Sequence, residues 1–371
     1  MKRMLILCLA ALFLLSAACG APSPAPESEA TVQPVEAQET APDVVAVETL
    51  APTPTPDPST PTPEPTPEPT PEPTPTPRPG DIAIHFPDYD TGVDADYSYQ
   101  SDELRIAVTV HEGTLPDAEG NRDLASVYYV ADVWVRNLHS MRKMYGKGQF
   151  NKHVENADTF AKRENAILAV HGNNNEGLVL HEGEVYQDFR RYKGWNSKSA
   201  CFIYKDGSMK TFYLPKETLN IEEEIANGAW YGWQFGPIII RDYKKGPDIT
   251  KYKKLGYKAR TMLGYYEPGH YVLVVADQRG SKARGLNGIM MYDLMQSLGV
   301  KEAFNLDGGT SAVLLFMGEI INKPVYGKTP EGKVVYGRPI LDLFGFGEYD
   351  EKTSAFMPLS SLTVDKFLGR E

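Results

Sequence analysis

Leu104 to Val110 alternates apolar and polar side chains with a period of two, the pattern of a strand with one buried face. Val127 to Val135 repeats this over a longer stretch rich in aromatic and β-branched residues. Apolar runs follow at Ile167–Val170, Pro237–Arg241 and Tyr271–Ala276, each short enough for a buried strand. Ala200–Tyr204, Lys205-Asp206-Gly207-Ser208 and Met209–Tyr213 predict a β-hairpin about an Asp-Gly turn. Helices are fewer. Asn156–Asn165 and Glu217–Ala226 read as short ones. Asn287–Leu298 is clearer: Ile289, Met290, Leu294 and Leu298 share a face, Asn287 caps the start and Gly299 ends it. Two further apolar runs, Ala303–Leu306 and Val313–Phe316, flank a glycine turn, and Met317-Gly318 leads into Glu319–Ile321. Strands dominate and no long repeat is visible. The expected class is α+β, with a mixed, mainly strand-built core sheet, interspersed helices and a single large domain.

Composition changes this picture only at the ends. Residues 1–19 read as an export signal: Lys2 and Arg3 precede an apolar run, Met4 to Leu15, too short to span a bilayer. The ending Ser16-Ala17-Ala18-Cys19 resembles a bacterial lipobox, which would lipidate Cys19 and anchor the chain at a membrane. Ser16 stands where such signals carry an aliphatic residue, so plain cleavage and secretion is the other outcome. Residues 20–80 hold 19 of the 29 prolines and end in Thr-Pro-Glu-Pro repeats. Such a stretch buries no core and runs extended, so Ala51–Pro79 alone reaches about 90 Å. It is expected to be a disordered spacer. Its ten acids against Arg78, with Lys2 and Arg3 set aside, leave −4 of the net −11 for the rest of the chain. An acidic balance of this kind argues against a nucleic-acid partner. The folded domain is expected over residues 81–350, with 351–371 as a tail. The expected location is the extracellular face of the cell membrane, or the medium. Cys8 leaves with the signal and Cys19 carries lipid, so Cys201 has no disulfide partner; its apolar setting reads as a buried, inert thiol.

Candidate chemistry gathers where apolar runs stop. Ala303 to Val313 delivers Asp307 into Gly308-Gly309, rimmed by Thr310 and Ser311, and a charge placed between two apolar runs needs partners or a task. Asp277-Gln278-Arg279 ends the run Tyr271–Ala276, and Arg260-Thr261 precedes Met262-Leu263-Gly264. Two carboxylates beside two guanidinium forks suit cleavage of a phosphorylated sugar: arginine holds phosphate, and carboxylates act as acid, base or nucleophile at the anomeric carbon. Asp342 after Arg338 reads as a closing structural ion pair. Glu182 and Glu184 read as solvated hairpin charges, and Trp230, Tyr231 and Trp233 as core packing. No zinc-ligand spacing and no nucleotide-type glycine loop is present. No cofactor is expected, with Ca²⁺ around Asp307 left open.

Taken in order, these pieces resemble the phosphodiester glycosidase family, which has bacterial exopolysaccharide-associated members. The resemblance runs from about Leu104 to Gly347 and rests on Ala169-Val170-His171-Gly172, Gly177–Leu180, Phe235–Ile239, Arg260–Gly264, Asp277-Gln278-Arg279, Asn305–Gly309, Asn322-Lys323-Pro324 and Arg338–Asp342. It implies hydrolysis of the bond between a sugar's anomeric carbon and a phosphodiester oxygen, giving free sugar and a phosphomonoester. Asp307 and Asp277 would then be catalytic. Arg260, Arg279, His171, Gly172, Asn305, Gly308, Gly309, Thr310 and Ser311 would bind substrate. The expected partner is a sugar-phosphodiester glycan in an extracellular or cell-wall polymer. The chain departs from the family pattern at His171, where the family has asparagine, at Asn173-Asn174-Asn175, at Gln278 and at Thr310. Those departures leave a second expectation open, a glycan-binding surface lipoprotein that keeps the pocket without the chemistry.

Overall fold

The computed structural model describes residues 77–362, apart from 85, 88–93, 118, 121, 176, 189–192, 195, 196, 250–255 and 333. All of these fall within the unit Pro73–Glu371. The export signal, Cys19 and nearly all of the spacer lie outside the described residues.

In chain order the strands are β1 (Tyr97–Gln100), β2 (Leu104–Pro116), β3 (Asp123–Val135), β4 (Met141–Tyr145), β5 (Leu168–His171), β6 (Val179–His181), β7 (Glu184–Gln187), β8 (Ser199–Tyr204), β9 (Met209–Phe212), β10 (Ala229–Phe235), β11 (Ile238–Arg241) and β12 (Lys244–Lys245). They continue with β13 (Arg260–Glu267), β14 (His270–Ala276), β15 (Glu302–Leu306), β16 (Leu314–Phe316), β17 (Glu319–Ile320), β18 (Val325–Lys328), β19 (Val334–Tyr336), β20 (Asp342–Phe346), β21 (Tyr349–Asp350) and β22 (Ala355–Phe356), the last two paired with each other. The helices are α1 (Ala157–Arg163), α2 (Ile221–Ala226) and α3 (Gly288–Ser297).

Three sheets carry the fold. One has eight strands in the order β1-β2-β3-β14-β13-β15-β11-β12; the others have five each, β7-β6-β10-β8-β9 and β17-β16-β5-β20-β4. β18 and β19 form a separate two-stranded ribbon. The α+β class holds, but the expected mixed sheet is a set of sheets whose described pairings are all antiparallel. Parallel neighbours need long crossovers, usually helical, and three short helices cannot supply many.

The period-two pattern sorts side chains between layers. In the large sheet Ile106, Val108, Ala131, Val133, Leu263, Leu273, Val275, Phe304 and Leu306 face a central core shared with Cys201, Trp233, Val170 and Phe344 of the smaller sheets. Their neighbours Met262, Val272, Val274 and Ala303 point the other way, onto Met290, Met291, Leu294 and Met295 of α3. α1 covers the outer face of the β5 sheet through Ala157, Phe160 and Ala161, and Ile221 of α2 covers the β8 sheet. Asn287 caps α3 as expected, its side chain accepting the N–H groups of Ile289 and Met290 at 3.0 Å. Glu182 and Gly183, both at positive φ, form the two-residue turn between β6 and β7.

Candidate active site

Three neighbouring strands of the large sheet stop at one edge. β13 runs against β14 with Arg260 opposite Ala276, and against β15 with Thr261 opposite Leu306. This register sets Arg260, Asp277 and Asp307 along one rim. β5 brings His171 from another sheet, and the Asp307 N–H donates to the Gly172 carbonyl at 2.9 Å, joining the two.

Asp307 is the carboxylate left partly open, its side chain 20% exposed. Oδ1 accepts the Gly308 N–H at 2.7 Å; Oδ2 accepts the Ser311 hydroxyl at 3.0 Å and Nη2 of Arg338 at 3.1 Å. A Cβ on Gly308 would come within 2.5 Å of the Ala259 carbonyl, and Gly309, at φ 67°, donates its N–H to that oxygen at 2.9 Å. Close backbone approach and positive φ therefore account for the glycine pair. Thr310 is exposed, and its carbonyl accepts the Arg338 N–H at 3.2 Å.

His171 is fully buried between two carboxylates, Nδ1 at 3.4 Å from Asp307 Oδ2 and Nε2 at 3.3 Å from Asp342 Oδ1. Neither contact closes as a directed hydrogen bond, and the ring is held by packing between the two carboxylates. Asp342 is also fully buried, and its Oδ2 accepts the Asn173 N–H at 3.2 Å. Burial works against its charge. The His171 contact, the Lys143 charge and the Asn173 N–H outweigh that and hold the carboxyl below the usual range. Gly172 makes room, since a Cβ there would stand 2.1 Å from Asp342 Oδ2. Lys143 lies buried nearby, its Nζ donating to the Gly232 carbonyl at 2.9 Å and 4.8 Å from the Trp233 ring centre. Burial pulls its ammonium down to about 7, with the Asp342 charge opposing.

Of the other expected residues, Asp277 and Asn305 are buried and Arg260 and Arg279 half-buried. Asp277 is fully buried; Oδ2 takes Nε of Arg279 at 2.8 Å, Oδ1 takes Nδ2 of Asn322 at 2.9 Å, and the Lys323 N–H reaches both oxygens. Arg279 also donates to the Tyr129 hydroxyl at 3.1 Å. Asn322 carries this cluster to the Asp307 turn, donating to the Ala312 carbonyl at 2.7 Å and accepting the Leu314 N–H at 2.8 Å. Arg260 donates to the carbonyls of Leu286 and Gly256 at 3.0 and 3.3 Å, which ties its half-buried guanidinium to backbone at the rim. Asn305 donates to the Gly236 carbonyl at 2.9 Å beside the cis Gly236–Pro237 bond. Trp233 and Tyr231 are fully buried in the core.

Arg338 and Asp342 were expected to pair with each other and do not. Arg338 turns to Asp307, and Asp342 turns to His171. The signal for Asp342 was available: it heads the buried run Asp342–Phe346, just as Asp307 ends Glu302–Leu306. The ribbon of β18 and β19 is rooted in the same place. Lys323, before it, binds Asp277, and Arg338, after it, binds Asp307. Among the described residues no group of three or more His, Cys, Asp or Glu side chains is placed to hold a metal ion.

These features define an α+β enzyme scaffold with its polar groups gathered at strand ends. The profile of the phosphodiester glycosidase family matches residues 154–346, a span containing His171, Arg260, Asp277, Asp307, Arg338 and Asp342. The chain belongs to that family. It is 26% identical over 218 residues to the SPbeta prophage-derived uncharacterized protein YomE of Bacillus subtilis, covering 53% of this chain and 33% of that protein. It is 29% identical over 164 residues to human N-acetylglucosamine-1-phosphodiester alpha-N-acetylglucosaminidase, covering 40% of this chain and 31% of the human protein. The chain thus spans about a third of the length of the curated relatives it matches. The catalytic domain of the zebrafish protein of that name, solved auto-inhibited by its pro-peptide, superposes with a TM-score of 0.55 at 17% identity, over 68% of this chain and 86% of that one. That likeness is one of fold.

Proposed function

We propose that the protein hydrolyses a sugar-1-phosphodiester, releasing free sugar and a phosphomonoester, and that it does so outside the cell on a glycopolymer while tethered by lipid at Cys19. The observation that carries the activity is Asp307. It is a partly open carboxylate at a strand end, 3.1 Å from the half-buried guanidinium of Arg338. Family membership and the name of the human relative support the reaction class. The apolar N-terminal run ending at Cys19 supports export and tethering.

Arg338 and the neighbouring Arg260 neutralise the phosphodiester at the rim, with the Gly308–Ser311 turn as its floor. A phosphate leaving group is a weak base, so the larger task is stabilising positive charge at the anomeric carbon. Asp307 performs it. Oδ2 is engaged by Ser311 and Arg338 and faces His171, whereas Oδ1 is held by one backbone N–H. Oδ1 is therefore the oxygen that meets the sugar carbon or takes a proton from water. Asp342 fixes the ring of His171 from behind, which steadies Asp307. Asp277 and Arg279 neutralise each other and, through Asn322, position the Asp307 turn.

The test is release of N-acetylglucosamine from a synthetic N-acetylglucosamine-1-phosphodiester by the wild type and by Asp307→Asn. The expected loss is at least about 10²-fold in kcat/KM, with the melting temperature largely kept. Equal turnover by both proteins would end the assignment. Glycan affinity with no turnover in the wild type would favour the binding lipoprotein instead.

A further inference from the structure

On the Asp342 side of His171 lies a cleft of ≈ 520 Å³, walled by amide side chains: Asn151, Asn174, Asn175, Gln187 and Gln234. An amide offers both donors and acceptors, and when buried it is nearly always paired. Most of these are spent on building the wall. Gln187 Nε2 donates to the Asn175 and Gly177 carbonyls at 2.7 and 2.8 Å, and its Oε1 accepts from Asn151 at 3.0 Å. Gln234 Oε1 accepts the Leu178 N–H at 3.0 Å.

Asn175 is the exception. Only 3% of it is exposed, yet neither Oδ1 nor Nδ2 has a hydrogen-bond partner among the described residues, and Asn174 Oδ1 is likewise unpaired. Both asparagines sit at positive φ, 56° and 51°, a conformation that asparagine tolerates better than most residues. The loop holding them is tied to the acid–imidazole array, because the Asn173 N–H binds Asp342 and Asn173 Oδ1 accepts the Asn175 N–H at 3.2 Å. Leu341, adjoining Asp342, also lines the cleft.

We propose that this cleft is a second saccharide subsite, which takes an uncharged, polyhydroxylated sugar unit adjoining the one cleaved at Asp307. The inference rests on the hydrolase reading above. The lining pairs neutral amides with Lys193 and Lys198 and, among the described residues, contains no carboxylate, so it disfavours cations and offers paired donors and acceptors to neighbouring hydroxyls. The volume falls in the range of pockets that enclose drug-sized ligands, larger than one pyranose ring. Asn175 supplies a buried carboxamide whose two polar atoms, unpaired among the described residues, are free to meet a sugar's hydroxyls.

The experiment is isothermal titration of the full chain with cellobiose, chitobiose, lactose and mannobiose, each set against the methyl glycoside of its single sugar. Asn175→Gly removes the carboxamide without straining a positive-φ backbone, and Asn174→Gly is the second variant should the first fail to fold. At least one disaccharide should bind about tenfold more tightly than its single sugar, the scale of one hydrogen bond to a buried amide. That advantage should vanish in Asn175→Gly. No disaccharide advantage in the wild type, or the same advantage in both variants, overturns the subsite. Turnover of the synthetic diester without a disaccharide advantage leaves the hydrolase standing and removes the subsite. A disaccharide advantage that depends on Asn175, without turnover of the diester, removes the hydrolase and leaves a saccharide-binding cleft.

Discussion

At His171 the two ring nitrogens face carboxylates in different surroundings. Asp342 is sealed from water, while Asp307 keeps a fifth of its side chain exposed beside Arg338, at 20%. In the proposed reaction the sealed one holds and the open one reacts. Asp342 also carries a pH signature. Its folded carboxyl lies below the ordinary value of 3.8, so the stability it contributes is present above that value and is lost as pH falls through the folded one. Asp342→Asn should therefore flatten the acid limb of a melting-temperature profile below about pH 4. It should also lower kcat more than KM, because a mis-set His171 disturbs Asp307 rather than substrate affinity. An unchanged acid limb together with unchanged kcat would deny Asp342 this role.

At the scale of elements, caps and faces are separable contributions. Asn287→Ala removes the side chain that accepts two N–H groups at the start of α3 and should cost about 1 kcal/mol in chemical denaturation. Activity should survive, since α3 covers the sheet face away from the central core. Much of this level was legible in the sequence. β2, β3 and α3 announce themselves because each has one face to bury and a clear period, and β14 because it is a short continuous apolar run of β-branched residues, buried on both faces. β10 did not, because Ala229–Phe235 is buried on both sides and an aromatic run without alternation has no period to read. The site was legible at Asp307 and its glycines, where charge interrupts an apolar pattern. It was not legible in the choice of partners. Arg338 and Asp342 lie four residues apart, but β20 begins at Asp342 and carries it to His171 through the Leu343–His171 pairing. Such pairings are tertiary facts, set by sheet order. The unpaired amides of Asn174 and Asn175 were legible only as departures from the family pattern.

For the whole molecule, the buried Lys143 should govern the alkaline side of stability. Its ammonium titrates near 7 in the folded protein against an ordinary value of 10.5, so between these values the unfolded chain binds more protons. Stability should rise with pH across that window. Lys143→Met, similar in volume and uncharged, should flatten the rise in a series of thermal melts. A rise that persists in the variant would assign it to other groups. No helix among the described residues is long and apolar enough to cross a membrane. Radiolabelled palmitate incorporation tests the proposed tether at Cys19. The ribbon of β18 and β19 has a last consequence. Both of its feet are gripped by Asp277 and Asp307, while its register, Val325 opposite Tyr336 and Lys328 opposite Val334, puts the exposed turn near Gly332 at the end away from those holds. The grip does not depend on what happens at the tip. That tip is where foreign polypeptide, an affinity tag or an additional module, can be spliced into the chain with the reaction centre left undisturbed.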